Sequence, residues 1–422
     1  MSEKRRDSPV STLVITGGAV LDPETGRIEP ADLLLSGGRV TAVEPPGRLS
    51  LSDQHRLSDQ HRLTDDDPQL VERIDATGLL VSPGLIDLQV NGAAGVDVSS
   101  EPDRLWEVAA ALPRHGVTSF LPTVVTSDES ARDRAMHTLA AGRPDGVPIG
   151  ARPLGLHFEG PMLSPKRSGA HDPKLLREPS AELIAGWSAE AGLLMVTIAP
   201  ELPGALDVIR ELVARGVLVS VGHTAADLAQ VQAATAAGAR AVTHLFNAMP
   251  GLDHREPGPV GAVLGSEGLV AGVIVDGLHV HPVTVAAAYR ALGPGRFLAI
   301  SDTTSALDQP DGPSWLGGRR VLIGDGAVRL TDDGGLAGSA VGLDQCLRLF
   351  AKFADLGPAE VLRSATAVPA DLLNRSDLGR LQPGAIADVV LLSEDLHPMA
   401  TIVGGRLLHD WHSASAPEWT AV

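Results

Sequence analysis

Eight short runs of consecutive apolar residues, separated by segments of helical composition, constrain the fold of this 422-residue chain more than any other feature. They occupy 80–90, 117–124, 153–158, 193–199, 217–222, 240–245, 271–275 and 296–301. A run that is apolar at nearly every position is buried on both faces, as parallel strands are when crossover helices cover the sheet. The stretches between them, such as 102–115, 128–141 and 225–237, are rich in Ala, Leu, Glu and Arg and supply those helices. Eight such units predict an α/β fold with a closed (β/α)8 TIM-type barrel. A doubly wound open sheet is the competing reading of the same alternation. With aromatics at only 3%, the interior must be filled by Ala, Val, Leu and Ile.

The two ends differ in texture from the middle. Residues 13–21 and 33–43 are β-rich and broken by Gly-Gly pairs, and the same texture returns at 385–409. The ends are therefore expected to complete one small β-sandwich, made of 1–78 and 385–422, around a barrel spanning 79–384. Residues 51–62 repeat the hexapeptide LSDQHR twice and lead into Asp65, Asp66 and Asp67. Two copies are too few for a solenoid, so 51–67 reads as an exposed, mobile insertion, with His55 and His61 solvated rather than metal-bound.

Charge and composition exclude several classes of function. A net charge of −18 argues against nucleic acid, which needs a basic face. It also means that an anionic ligand must be held by local cationic or N–H groups acting against the field of the whole protein. No apolar stretch reaches 18 residues, so no membrane span is expected. The N-terminal Lys4, Arg5 and Arg6 are not followed by a signal-like apolar run. Cys346 is the only cysteine and is expected as a buried core thiol, which fits a cytoplasmic setting.

In a barrel of this kind the chemistry sits at the C-terminal strand ends. The third run ends at His157-Phe158-Glu159-Gly160-Pro161, the fifth at Gly222-His223-Thr224, the sixth at Thr243-His244-Leu245 and the eighth at Ser301-Asp302-Thr303. Taken singly, each has a plainer explanation: a hydrogen-bonded structural histidine, a helix-capping glutamate, a rim salt bridge. Together, two histidines and a carboxylate at one mouth are the donor set of a catalytic divalent metal, zinc first and Fe, Co or Mn otherwise, that keeps a position open for water. Asp302, at the end of the last strand, is placed to act as general base and then general acid.

Ser82-Pro83-Gly84-Leu85-Ile86-Asp87 at the first run and the closing Pro383-Gly384-Ala385-Ile386-Ala387-Asp388 resemble the boundary motifs of the amidohydrolase superfamily. The strand-end motifs above are, within it, similar to the N-acetylglucosamine-6-phosphate deacetylase family. So are Asn247-Ala248-Met249, Arg255-Glu256-Pro257-Gly258 and Asp276-Gly277-Leu278-His279-Val280. The resemblance runs from about 13 to 410. It implies that Glu159, His223 and His244 hold the metal, Asp302 is the acid/base, and His279 polarises the acetamide carbonyl. It further implies that Asn247, Ala248 and Arg255 hold the 6-phosphate, that His171 reaches a sugar hydroxyl, and that the working form is a homodimer. Arg255 is chemically apt, since a guanidinium grips phosphate with paired hydrogen bonds. Many superfamily members carry His-x-His on the first strand for a second metal; here Gln89-Val90-Asn91 stands there. Neutral amides are poor zinc ligands, so one metal per chain is expected, with Gln89 as a contact to its water. The implied reaction is removal of the acetyl group from an N-acetylated amino-sugar 6-phosphate, and the galactosamine epimer is an open alternative.

Overall fold

A computed structural model describes residues 12–49 and 71–410. The hexapeptide repeat and the acidic triplet after it lie outside the described residues.

Eight parallel strands form the barrel, at Leu85–Val90, Val117–Val125, Leu156–Glu159, Leu193–Ile198, Leu218–Val221, Ala241–Val242, Val270–Ile274 and Phe297–Ile300. They are counted here as barrel strands 1 to 8. All nine residues of strand 2 are buried, as its unbroken apolar run requires. Strands 8 and 1 meet through a parallel bridge between Val90 and Thr303 and the hydrogen bond from Asn91 N–H to Thr303 O at 2.8 Å. That seam closes the ring and rules out the open doubly wound sheet. The interior is packed by Ile86, Leu88, Leu121, Met195, Ile274, Leu298 and Ile300.

The two chain ends do form a common unit, an eight-stranded sheet in which Val389–Leu392 lies beside Leu80–Pro83, and that beside Thr12–Asp22. Its core gathers Leu33 and Leu35 from one side with Val389 and Ile402 from the other, so the sheet folds over on itself.

Two features differ from the pattern in the sequence. The run at 80–90 is two strands, not one: Leu80–Pro83 pairs with Val389–Leu392 in the end-domain sheet, and only Leu85–Val90 enters the barrel. The break falls at Gly84, where a Cβ would lie 2.2 Å from Thr118 Oγ1, so only glycine lets the chain cross this close to strand 2. The second difference is a four-stranded antiparallel sheet at Gly312–Leu316, Arg319–Gly324, Ala327–Leu330 and Leu336–Ser339, between strand 8 and the helix Leu343–Ala354. Leu316, Val321, Ile323, Val328 and Leu330 pack its inner face onto Val125 and Ala306 at the barrel rim. No helix among the described residues is long and apolar enough to cross a membrane.

Candidate metal centre

Glu159 is the last residue of strand 3, while His223, His244 and Asp302 each follow their strand by two residues. All four side chains turn into the same mouth and all four are buried. The backbone is bent sharply to achieve this: His223, His244 and Asp302 have φ of 47°, 31° and 50°, and Ala248 has 50°. Left-handed φ at residues with a Cβ costs about 1–3 kcal/mol each and persists only where the surroundings enforce it. Glu201 does so for the first turn, accepting from Thr224 Oγ1 at 2.5 Å and Ala225 N at 2.6 Å. Behind His223, Gly169 packs so that a Cβ would sit 3.2 Å from the imidazole Cε1.

Three donor atoms converge. Glu159 Oε1 lies 3.2 Å from His223 Nε2 and 3.0 Å from His244 Nε2, and the two nitrogens are 3.0 Å apart. His223 Nδ1 is 2.9 Å from the carbonyl oxygen of Arg167; a carbonyl only accepts, so the ring proton is on Nδ1 and Nε2 offers a lone pair. His244 Nδ1 has no hydrogen-bond partner among the described residues, and a cation shared by His244 Nε2, His223 Nε2 and the Glu159 carboxylate would satisfy all three. Donors ~2.0–2.1 Å from a tetrahedral zinc are themselves about 3.3 Å apart, close to the spacing seen. The residues present therefore fit a divalent ion.

His171 lies near the same carboxylate, its Nε2 3.8 Å from Glu159 Oε2, and proximity alone would make Glu159, His171 and His223 a metal-binding trio. Its hydrogen bonds say otherwise. Thr126 N–H donates to His171 Nδ1 at 3.1 Å, so in the neutral ring the proton sits on Nε2. Burial, helped by the neighbouring His223, pushes His171 down to about 3 and keeps the ring neutral. His171 thus presents an N–H to the cavity, and His244 completes the tighter trio.

The electrostatics follow from this crowding. Burial works against the Glu159 carboxylate, but the contacts with His223 and His244 hold it well below the usual range. Asp302 goes the other way: burial and then the Glu159 charge push it up to about 6, against pull from His244, His279 and the Asn91 hydrogen bond. A carboxylate in that range is poised to exchange protons near neutral pH. His279 is held by Asp276, whose Oδ2 lies 2.6 Å from its Nδ1 and whose Oδ1 accepts its backbone N–H at 2.9 Å.

These side chains line a cavity of about 180 Å³. Of the residues singled out in the sequence, Glu159, His171, His223, His244, Asn247, Ala248, His279 and Asp302 line it. Two do not. Gln89 is buried behind Glu159, its Nε2 donating to Glu159 Oε1 at 3.1 Å. Arg255 is exposed on the 250–257 loop, where Asp253 Oδ1 accepts the backbone N–H of Arg255 at 2.8 Å and of Glu256 at 3.2 Å and turns the chain outward. Asn247 donates from its backbone N–H to His244 O at 2.9 Å and from Nδ2 to the same oxygen at 3.2 Å, shaping the turn that presents Ala248. The cavity also has walls that the strand-end motifs did not indicate: Leu316, Leu336 and Gly338 come from the four-stranded insert, and Asn91 from strand 1.

Comparison with known proteins agrees with this arrangement. Residues 80–408 match the model of the amidohydrolase family. The chain is 36% identical over 406 residues to the human N-acetylglucosamine-6-phosphate deacetylase, covering 93% of this chain and 94% of that protein. It is 37% identical to the N-acetylgalactosamine-6-phosphate deacetylase of Escherichia coli O157:H7, covering 91% and 96%. Among solved structures, the Mycobacterium smegmatis N-acetyl-D-glucosamine-6-phosphate deacetylase in complex with N-acetyl-D-glucosamine-6-phosphate superposes with a TM-score of 0.81 at 32% identity, over 94% of this chain and 99% of that one. On a match that spans the barrel and most of the chain, this protein belongs to the amidohydrolase family of hydrolases.

Proposed function

We propose that the chain hydrolyses N-acetyl-D-glucosamine 6-phosphate to D-glucosamine 6-phosphate and acetate. The observation that carries the reading is a buried acid, Asp302, sharing one cavity with the Glu159–His223–His244 cluster and with His279. Glu159, His223 and His244 would hold a divalent ion, which when bound would supply Lewis acidity, lowering the pKa of a water from 15.7 towards ~7 and polarising the acetamide carbonyl. Asp302 takes a proton from the attacking water and returns it to the sugar nitrogen as the C–N bond breaks. His279 donates to the carbonyl oxygen as negative charge develops there. With Nδ1–H directed at Asp276, Nε2 donates only when it carries a proton too, so this role needs the doubly protonated ring paired with the Asp276 carboxylate. His171 Nε2–H meets a sugar hydroxyl, and Ala248, Asn247 and Arg255 take the phosphate, Arg255 from the rim.

The E. coli relative named for the galactosamine epimer favours a second reading in which the C4 hydroxyl has the opposite configuration. We assign zinc as the ion, a homodimer as the working form and the cytoplasm as its setting on the sequence reading. The domain boundary expected at 78/79 moves to Gly84, because Leu80–Pro83 pairs within the end-domain sheet and Leu85–Val90 within the barrel. The test is acetate release from both epimeric 6-phosphates, with metal content determined on the same sample. Turnover of neither sugar phosphate by metal-replete protein refutes the assignment.

A further inference from the structure

Asn91 follows barrel strand 1, is 2% exposed and lines the cavity. Its backbone is pinned on both sides, N–H to Thr303 O at 2.8 Å and O accepting from Val98 N at 2.9 Å. Its side-chain nitrogen donates to Asp302 Oδ1 at 2.7 Å and lies 3.4 Å from the Asp302 carbonyl oxygen. Those contacts set the orientation of the amide, because two oxygens can accept only from the nitrogen end. The oxygen end, Asn91 Oδ1, is then buried with no hydrogen-bond partner among the described residues. A buried acceptor left unmet is costly, so a ligand with a hydrogen to give belongs there. The strand's other amide, Gln89, is committed elsewhere, to Glu159.

Counting the valences of the attacking water identifies that ligand. One of its lone pairs attacks the carbonyl carbon, and the other would be left for an ion held by Glu159, His223 and His244. One hydrogen goes to Asp302, where Asn91 already occupies Oδ1, so Oδ2 receives it. The second hydrogen needs an acceptor beside Asp302. We propose that Asn91 is a catalytic residue, its Oδ1 accepting the hydrogen that the attacking water keeps while its Nδ2 holds Asp302 in line. In the step, the water's O–H to Asp302 breaks and a bond forms between that oxygen and the acetyl carbon. The carbonyl π pair moves onto oxygen, and the hydrogen facing Asn91 stays on the oxygen that ends in acetate. The inference rests on the hydrolase reading but not on which sugar is the substrate.

Two measurements test it. In a high-resolution crystal structure of the zinc-loaded protein without substrate, a water is expected within about 3.2 Å of both Asn91 Oδ1 and Asp302 Oδ2. Asn91→Ala should displace it. No water at that position, or a protein atom in its place, overturns the proposal whatever the substrate proves to be. In turnover, Asn91→Ala should lower kcat about 10- to 100-fold while KM and metal content stay within about twofold, and Asn91→Ser, which keeps a shorter acceptor, should recover part of the loss. A raised KM with kcat held would instead make Asn91 a contact to the acetamide N–H and overturn the water role. A wild type that turns over neither sugar phosphate, with the water in place, refutes the substrate assignment alone.

Discussion

Replacing Asp302 by Asn separates what the acid does for turnover from what it costs the fold. Asn91 Nδ2 donates to Asp302 Oδ1, so the new amide must turn its own oxygen to Asn91 and its nitrogen to the cavity. The position that took the proton then holds only a donor. Losing a general acid/base removes about 10²–10⁴ in rate, or roughly 3–5 kcal/mol at 1.36 kcal/mol per decade. The fold should respond in the opposite sense. Burial lifts Asp302 from 3.8 to about 6, so the native state holds its proton more tightly than the unfolded chain and loses stability as pH rises through that window. Two units correspond to on the order of 3 kcal/mol, recovered at pH 7 when the charge is removed. The assay is acetate release, metal content and thermal unfolding of the metal-free protein, wild type against Asp302→Asn. Expected are unchanged metal content, KM within a few-fold, kcat down at least about a hundredfold and a higher Tm. More than about a tenth of wild-type kcat would refute the acid/base role, and a lower Tm would refute the claim that the buried charge is penalised.

Metal analysis should give one ion per chain, and His223→Ala should lose it; two ions both required for rate would mean that Gln89 and Asn91 had been misjudged. Arg255 is exposed, and a solvent-screened charge pair is worth about 0.2–1 kcal/mol, so Arg255→Ala should cut kcat/KM on the 6-phosphorylated sugar by up to about fivefold and leave the unphosphorylated sugar nearly unchanged. An equal fall on both would make Arg255 a rim residue without a phosphate role. Away from the site, burial disfavours protonation of His115, but Asp344 at 2.9 Å and Asp308 at 3.3 Å raise it from 6.5 to about 9. Its stabilisation, about 3 kcal/mol, is fully present below pH 6.5 and lost as pH rises through 9. His115→Ala should therefore lower Tm at pH 6 and barely change it at pH 10; an equal loss at both would show that packing, not charge, is at stake.

The barrel was legible because burial on both faces writes itself as unbroken apolar runs, and the strand-end residues Glu159, His223, His244 and Asp302 were legible because each closes such a run. The four-stranded insert was not: its strands are four to six residues long and half exposed, so Trp315, Arg320 and Leu322 alternate with core residues and blur the apolar signal. The Gly317-Gly318 and Asp325-Gly326 turns were the cue it offered. Asn91 was read only as a missing ligand: a closed barrel sets strand 1 beside strand 8, but the apolar pattern does not say that Asn91 and Asp302 meet across the seam. The left-handed turns at His223 and His244 are likewise invisible, because no glycine or asparagine marks them. Arg255 shows the reverse limit: a side chain apt for phosphate need not face the cavity.

The seam of the barrel passes through Asp302 and Asn91, the residues to which the proposed mechanism gives the proton transfer. Strands 8 and 1 are joined by Val90 and Asn91 on one side and Thr303, next to Asp302, on the other, and by Ser301 N–H reaching Asp87 Oδ1 at 3.3 Å. The contacts that close the ring are thus the same ones that set Asp302 beside Asn91. The proposed ligands Glu159, His223 and His244 follow strands 3, 5 and 6, away from that seam. Under the proposed mechanism, a substitution that loosens the seam should therefore cost turnover before it costs the bound ion.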